Sequence, residues 1–237
     1  MASVYLLTLR QLSGRWRLLI MTALATLPVL MAIITLRDDD GPTVAEFEQV
    51  VFSGMLAGSI LPLVVLAIAG AAFANEIEDR TIANLTLAPI PRWQIAVPKL
   101  LATITLAAPF IMISAFLTTH VAFLGDARAT MSVVVASLVG VALYASAFVW
   151  LGLVSTQAVG LGLLYIVLWE GLFSGFVSGV RLLSIRHFSI GLMHGLDERR
   201  FAGASHLGLV PVTVVCVIVF SAFLWMSVRR LRNMDIP

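Results

Sequence analysis

Residues 129–169 form a run of 41 without one Asp, Glu, Lys or Arg. A straight helix of that length would reach about 60 Å, roughly twice the ~30 Å hydrocarbon core of a bilayer. The run must therefore fold back, and its most polar interruption, Ser155-Thr156-Gln157, is where the turn belongs. Four further uncharged runs, at 18–36, 49–75, 100–125 and 201–228, hold 19, 27, 26 and 28 residues. About 20 suffice for one crossing. Charged residues make up 12% of the chain, against about 25% in soluble domains. The sequence reads as an all-α integral membrane protein and excludes an ordinary soluble enzyme.

The second arm of the long run can continue past Glu170 to Ser178. This predicts six spans, at about 18–36, 50–75, 93–120, 130–154, 158–178 and 207–228, forming a single transmembrane domain over residues 1–237. Together they fill half the chain and leave no room for a soluble catalytic domain. An even number of spans puts both termini on one side. That side carries Arg10, Arg15, Arg17, Arg80, Arg92, Lys99, Arg229, Arg230 and Arg232, nine cations. The other side carries six: Arg37, Arg128, Arg181, Arg186, Arg199 and Arg200, the last four in one long loop. Short loops alone give nine against two, so the positive-inside bias predicts cytoplasmic termini for a multi-pass protein of the cell inner or plasma membrane. With cations distributed this way, no basic stripe marks a nucleic-acid partner. Arg-Asp-Asp-Asp follows the first apolar stretch where a signal peptide would need small residues, so an uncleaved first span is expected.

Three segments outside the spans have a pattern of their own. In 1–17, Tyr5, Leu9, Leu12 and Trp16 share one helical face and Arg10, Gln11, Gly14 and Arg17 the other, which predicts an interfacial helix lying along membrane lipid. In 76–92, Glu76, Glu78 and Asp79 suit the first turn of a helix that Asn75 can cap. Pro89 and Pro91 end that helix, and another can start near Arg92. Two helical turns and a Pro-X-Pro hinge amid minimal loops have the shape of a docking element. In 179–206, apolar residues alternate with Arg, His and Gly, too polar to span and too apolar for a free loop. Short re-entrant helices broken at Gly191 and Gly195 meet both demands. Within the spans, Gly54 with Gly58, and Gly171, Gly175 and Gly179, have the spacing that lets helix backbones approach closely in lipid.

Much chemistry is missing. The one lysine, Lys99, follows Pro98, so no Gly-Lys-Ser/Thr phosphate loop exists. His120, His187, His194 and His206 are scattered, and Cys216 is the only cysteine, so neither a metal motif nor an intrachain disulfide can be written. The Gly-x-Ser-Gly of intramembrane serine proteases is also absent. Glu170 is the one acid placed within a span. A charge at that depth is costly and faces protein or a wet cavity with a partner. Arg181, Arg186 and His187 are the candidates if the chain folds back after Ser178. Trp169, Glu170, Arg186 and His187 are accordingly candidates for an outer gate or translocation path. A structural brace, with Trp169 in an aromatic belt, is the competing role.

This order of elements resembles the membrane subunit of ATP-binding-cassette exporters of the second type, the ABC type-2 permeases. The coupling region carries the closest likeness: the acids Glu76, Glu78 and Asp79, then Thr81, Leu85, Pro89, Arg92 and Lys99, in the family's order. Arg80 departs from it, standing where Gly is common, and the outer loops are short. Trp169-Glu170-Gly171 and the C-terminal Arg-Arg-Leu-Arg-Asn-Met-Asp also resemble family features. The resemblance implies a non-catalytic permease with no cofactor of its own. It would dimerise with a second copy or a related permease. Two separate ATPase subunits, which bring the ATP and Mg, would grip its coupling helix. Short loops and an apolar interior suit a lipid-like or drug-like amphiphile as substrate. The same topology would also serve a membrane scaffold or biogenesis factor that exports nothing itself.

Overall fold

Lipid offers no hydrogen bonds, so a chain crossing it must satisfy each backbone N–H and C=O internally, as a helix or a closed barrel. Here it does so with helices. The computed structural model describes residues 2–35, 43–73, 91–173, 184–201 and 208–233, and no strand occurs among them. The elements are α1 (Ala2–Leu12), α2 (Arg15–Thr35), α3 (Val44–Phe73), α4 (Trp93–Ala122), α5 (Ala127–Val154), α6 (Ala158–Leu164), α7 (Ile185–Leu196) and α8 (Leu209–Arg232). Residues Glu48–Ile60 of α3 have the wider π pitch, as does Tyr165–Phe173, which continues α6.

Five of these helices, α2, α3, α4, α5 and α8, are long and apolar enough to cross a membrane. The expected fifth span is represented by α6 and its continuation, and residues 174–178 lie outside the described part. The long uncharged run folds back where its polar residues stand: α5 ends at Val154, α6 starts at Ala158, and the Ser155 hydroxyl accepts the Gln157 N–H at 3.1 Å. Between α4 and α5 the chain turns through Leu124 and Gly125, both at positive φ. Asp126 then caps α5 by accepting the N–H groups of Arg128 and Ala129 at 3.1 and 3.3 Å. The new helix expected near Arg92 begins at Trp93.

The apolar windows of α3 and α5 are 83% and 72% buried, those of α2 and α8 only 22% and 11%. The first pair forms the centre and the second the rim. The outer face of α8 leaves Val210, Val214, Val217, Ile218 and Trp225 exposed, ordinary surface for a helix bathed in lipid. Hydrocarbon is as apolar as leucine, so close packing and polar contacts decide association here.

Close packing shows at Gly140, where α3, α5 and α7 meet. A Cβ there would lie 2.7 Å from Ser189 Oγ and 3.0 Å from Leu61 Cδ1. A Cβ on Gly160 of α6 would meet no other element within 4 Å among the described residues. The two predict opposite signs. Gly160→Ala gains up to about 1 kcal/mol of helix propensity, whereas Gly140→Ala loses about 1–3 kcal/mol to overpacking despite the same propensity gain. Thermal unfolding of both variants in lipid nanodiscs checks this.

Three expectations change. Gly191 and Gly195 do not break a helix, since α7 runs through both to Leu196. They make room for α8, with Val212 and Leu209 side-chain atoms 3.3 and 3.1 Å from their would-be Cβ positions. Gly54 and Gly58 do not bring a neighbouring backbone close. Gly54 meets its own helix at the Gln49 carbonyl, and Gly58 makes room for the Arg186 guanidinium at 3.2 Å. The apolar stripe of 1–17 is split between two helices. Leu12 is buried, and Trp16, already on α2, is exposed. Gly171 meets its own helix at the Ile166 carbonyl, and Gly175 and Gly179 lie outside the described residues.

Candidate functional site

Glu170 is fully buried. Three donors converge on its carboxylate: the Tyr165 hydroxyl at 3.1 Å, the Ser184 hydroxyl at 2.5 Å and the Ile185 backbone N–H at 3.1 Å. Each donor is there for a local reason. Tyr165 lies on the same helix, five residues back, which the π pitch places alongside. Ser184 caps α7, its oxygen also accepting the His187 N–H at 3.2 Å. Ile185 is the first residue of α7, and its N–H has no partner within the helix. The carboxylate thus sits at the positive end of the α7 dipole, where an anion is favoured. A group expensive to bury is held by donors that would otherwise be orphaned.

Arg186 completes the knot from the other side. It donates to the Glu170 backbone carbonyl at 3.3 Å and to the Ser53 hydroxyl of α3 at 2.8 Å, with its guanidinium against Gly58. Of the sequence candidates, Trp169, Glu170 and Arg186 are brought together. His187 lies next to them through its N–H on Ser184, its ring near Phe188. Arg181 lies outside the described residues. Arg186, one of the three candidate partners of the carboxylate, donates to the backbone oxygen of the same residue.

The other end of α7 is tied as firmly. His194 pairs with Glu48 at the start of the π stretch in α3 and stacks on Phe201. Asp197, 2% exposed, meets Arg128 Nε of α5 at 3.5 Å. Phe47, Phe52, Phe123 and Phe201 pack ring to ring at 5.4–6.1 Å beside them, and Arg200 lies over the Phe123 ring at 4.7 Å. Helix α7 is therefore a strap fastened at both ends to α3, and also to α5 and the α6 continuation.

Missed by the sequence reading were Ser53, Tyr165 and Ser184 around Glu170, and the pairing of Glu48 with His194. Only Ser184 carried a readable signal, as a serine immediately before an amphipathic helix. The remaining contacts join residues up to 146 positions apart, and no local pattern marks them.

The hydroxyls of Tyr165 and Tyr144 make a test. Tyr144, buried on α5, also faces Glu170, with a hydrogen bond less well formed than that of Tyr165. Tyr144→Phe should therefore cost less than Tyr165→Phe, which should lose about 1–2 kcal/mol with its bond to a buried carboxylate. Paired thermal unfolding curves read the difference.

At the opposite end of the bundle, Lys99 of α4 is 1% exposed. Its ammonium donates to the Ala72 carbonyl at 2.5 Å and lies 4.3 Å from the Phe73 ring centre. A cation at the C-terminal carbonyls of α3 is favoured by the helix dipole. Lys99 thereby fixes the point from which residues 74–90 depart. The expected coupling residues Glu76, Glu78, Asp79, Arg80, Thr81, Leu85 and Pro89 lie outside the described residues. Arg92 is half-buried just before α4. Among the described residues no group of three His, Cys, Asp or Glu is gathered to hold a metal.

A family model described as "ABC-2 family transporter protein" matches residues 9–189, well over half the chain. The chain belongs to the ABC-2 transporter family. The match runs from α1 into α7 and so contains the whole Glu170 knot. No curated protein sequence matches the chain. Membership makes this a transmembrane ABC transporter subunit. ABC-2 permeases generally lack catalytic activity and work with an ABC ATPase subunit.

Proposed function

We propose that this ABC-2 permease is the membrane half of an exporter. It would form the translocation path as a dimer and be driven by two separate ATPase subunits bound at 76–92. The observation carrying this reading is α3 itself: one continuous helix, Val44–Phe73, strapped by α7 through Ser53 and Glu48. Its far end, clamped by Lys99, leads directly into the acidic segment. A push on Glu76, Glu78 and Asp79 is transmitted along α3 to the Glu170 knot. Packed helices respond as rigid bodies, which is the basis of alternating access. Gate opening then amounts to α7 shifting against α3, with Trp169, Glu170, Arg186 and His187 at the moving contact.

The proposal includes six crossings, with α6, its continuation and 174–178 making the fifth. It places α1 at the interface, α7 within the re-entrant segment 179–206, and both termini in the cytoplasm of the inner or plasma membrane. The short-loop cation count of nine against two supports that orientation. ATP and Mg are bound by the partner ATPase, and the substrate is a small amphiphile. Copurification of the permease with its ATPase, followed by ATP-dependent efflux of an amphiphilic dye from proteoliposomes, tests the reading.

A further inference from the structure

Two cavities flank the inner side of α8, and their walls differ in chemistry. One, of about 500 Å³ between α5, α7 and α8, is lined by aliphatic side chains with Thr213 and Cys216, and Phe220 is the only ring among the described residues there. The other, of about 460 Å³, lies between α5, α6 and its continuation, α7 and α8. Half of its twelve lining residues are aromatic: Phe148, Trp150, Tyr165, Trp169, Phe188 and Phe223. Aromatic residues make up 9% of the whole chain, so this wall is strongly enriched. The rings pair across it, Phe148 with Tyr165 at 6.3 Å and Trp150 with Phe223 at 5.8 Å. Both volumes fall in the range of about 300–1,000 Å³ usual for small-molecule sites. An aliphatic wall suits a hydrocarbon chain, whereas ring faces and edges select another ring. Among the described residues no charged side chain lines the aromatic cavity, and an ionic ligand would lose hydration against this wall without compensation.

The aromatic cavity is also wired to the knot. Tyr165 lends its ring to the wall and its hydroxyl to Glu170. Ile185 lends its side chain to the wall and its backbone N–H to the same carboxylate. Trp169 is covalently next to Glu170, and Arg186, next to Ile185, reaches Ser53 on α3. A molecule filling this space cannot displace Tyr165 or Ile185 without moving the carboxylate that caps α7.

Resting on the exporter reading above, we propose that this cavity binds the transported amphiphile through a neutral, ring-containing part, and that Tyr165 and Ile185 report its occupancy to Glu170. The test uses the full chain in lipid nanodiscs with N-phenyl-1-naphthylamine, a neutral aromatic probe, and reads energy transfer from tryptophan. Saturable transfer above lipid partitioning is expected. Ala147→Phe and Val219→Phe fill the cavity from α5 and α8, and each should weaken binding about tenfold, the scale of a lost ring contact. Ala142→Phe fills the aliphatic cavity instead and should leave binding unchanged. Tyr165→Phe, which keeps the ring and loses the hydroxyl on Glu170, should abolish probe-stimulated ATP hydrolysis by the assembled transporter.

Photocrosslinking of the unaltered chain with benzophenone gives a readout independent of folding defects in the variants. Adducts are expected within 147–169 and, on α8, at Val215, Val219 and Phe223. Adducts confined to the aliphatic cavity, or displacement of the probe by added phosphatidylcholine, would show an acyl-chain site and overturn the proposal. So would binding indifferent to both filling variants. Two outcomes separate the site from the exporter reading. ATP-driven transport with cavity-independent binding sinks the site alone, while cavity-dependent binding in a chain that engages no ATPase sinks the exporter reading.

Discussion

Glu170→Leu should unfold well below the wild-type temperature and transport nothing. The substitution leaves the Ile185 N–H and the hydroxyls of Ser184 and Tyr165 without their acceptor in a water-free interior. Each orphaned buried group costs about 1–3 kcal/mol, and breaking a buried charged cluster from one side costs about 3–5 kcal/mol in total. The side-chain fastening at the N-terminus of α7 is lost, while the Arg186 bonds to the backbone carbonyl of residue 170 and to Ser53 remain. Glu170→Gln is the informative neighbour. It keeps one acceptor oxygen but presents an NH₂ group to a donor, so its loss should fall between wild type and leucine. Thermal unfolding in nanodiscs, ranked Glu above Gln above Leu, is the expected order. A leucine variant as stable as wild type would mean that packing alone holds α7.

Reversing the charges of Glu76, Glu78 and Asp79 to lysine should abolish ATPase capture while leaving the membrane bundle folded. In sequence the three acids come soon after α3, beyond the Lys99 clamp. Like charges facing each other across an interface cost several kcal/mol. About 3 kcal/mol already weakens binding some hundredfold. Copurification should therefore fail at concentrations where the wild-type complex is complete, with an unchanged unfolding temperature for the isolated permease. Undiminished copurification would remove 76–92 from the docking surface.

Five of the expected spans were legible because lipid imposes a length and a polarity that sequence records directly. The turn at Ser155-Thr156-Gln157 and the cap at Asp126 follow from local rules about polar interruptions and unsatisfied N–H groups. Glu170 was legible as an exception, a charge where hydrocarbon was expected. Its partners were not. Tyr165 is reached only through the π pitch, which a 3.6-residue period does not anticipate, and Ser53 comes from a helix more than a hundred residues away. Glycine spacing misled for a related reason: Gly58 makes room for a side chain from α7, and spacing alone does not say which neighbour will use the room. His194 looked like one of four scattered histidines, and only tertiary folding brings Glu48 to it.

The central claim, that α3 carries force from an ATPase to the Glu170 knot, is tested most directly in proteoliposomes holding the permease with its ATPase. ATP hydrolysis and efflux of a neutral aromatic dye are measured together, for wild type and for Arg186→Gln, which weakens the link between α7 and α3. The account predicts ATP-dependent efflux by wild type, and in the variant continued hydrolysis with efflux lost. Hydrolysis without efflux in the wild type itself would contradict it and leave a scaffold, and efflux undisturbed by Arg186→Gln would place the gate elsewhere.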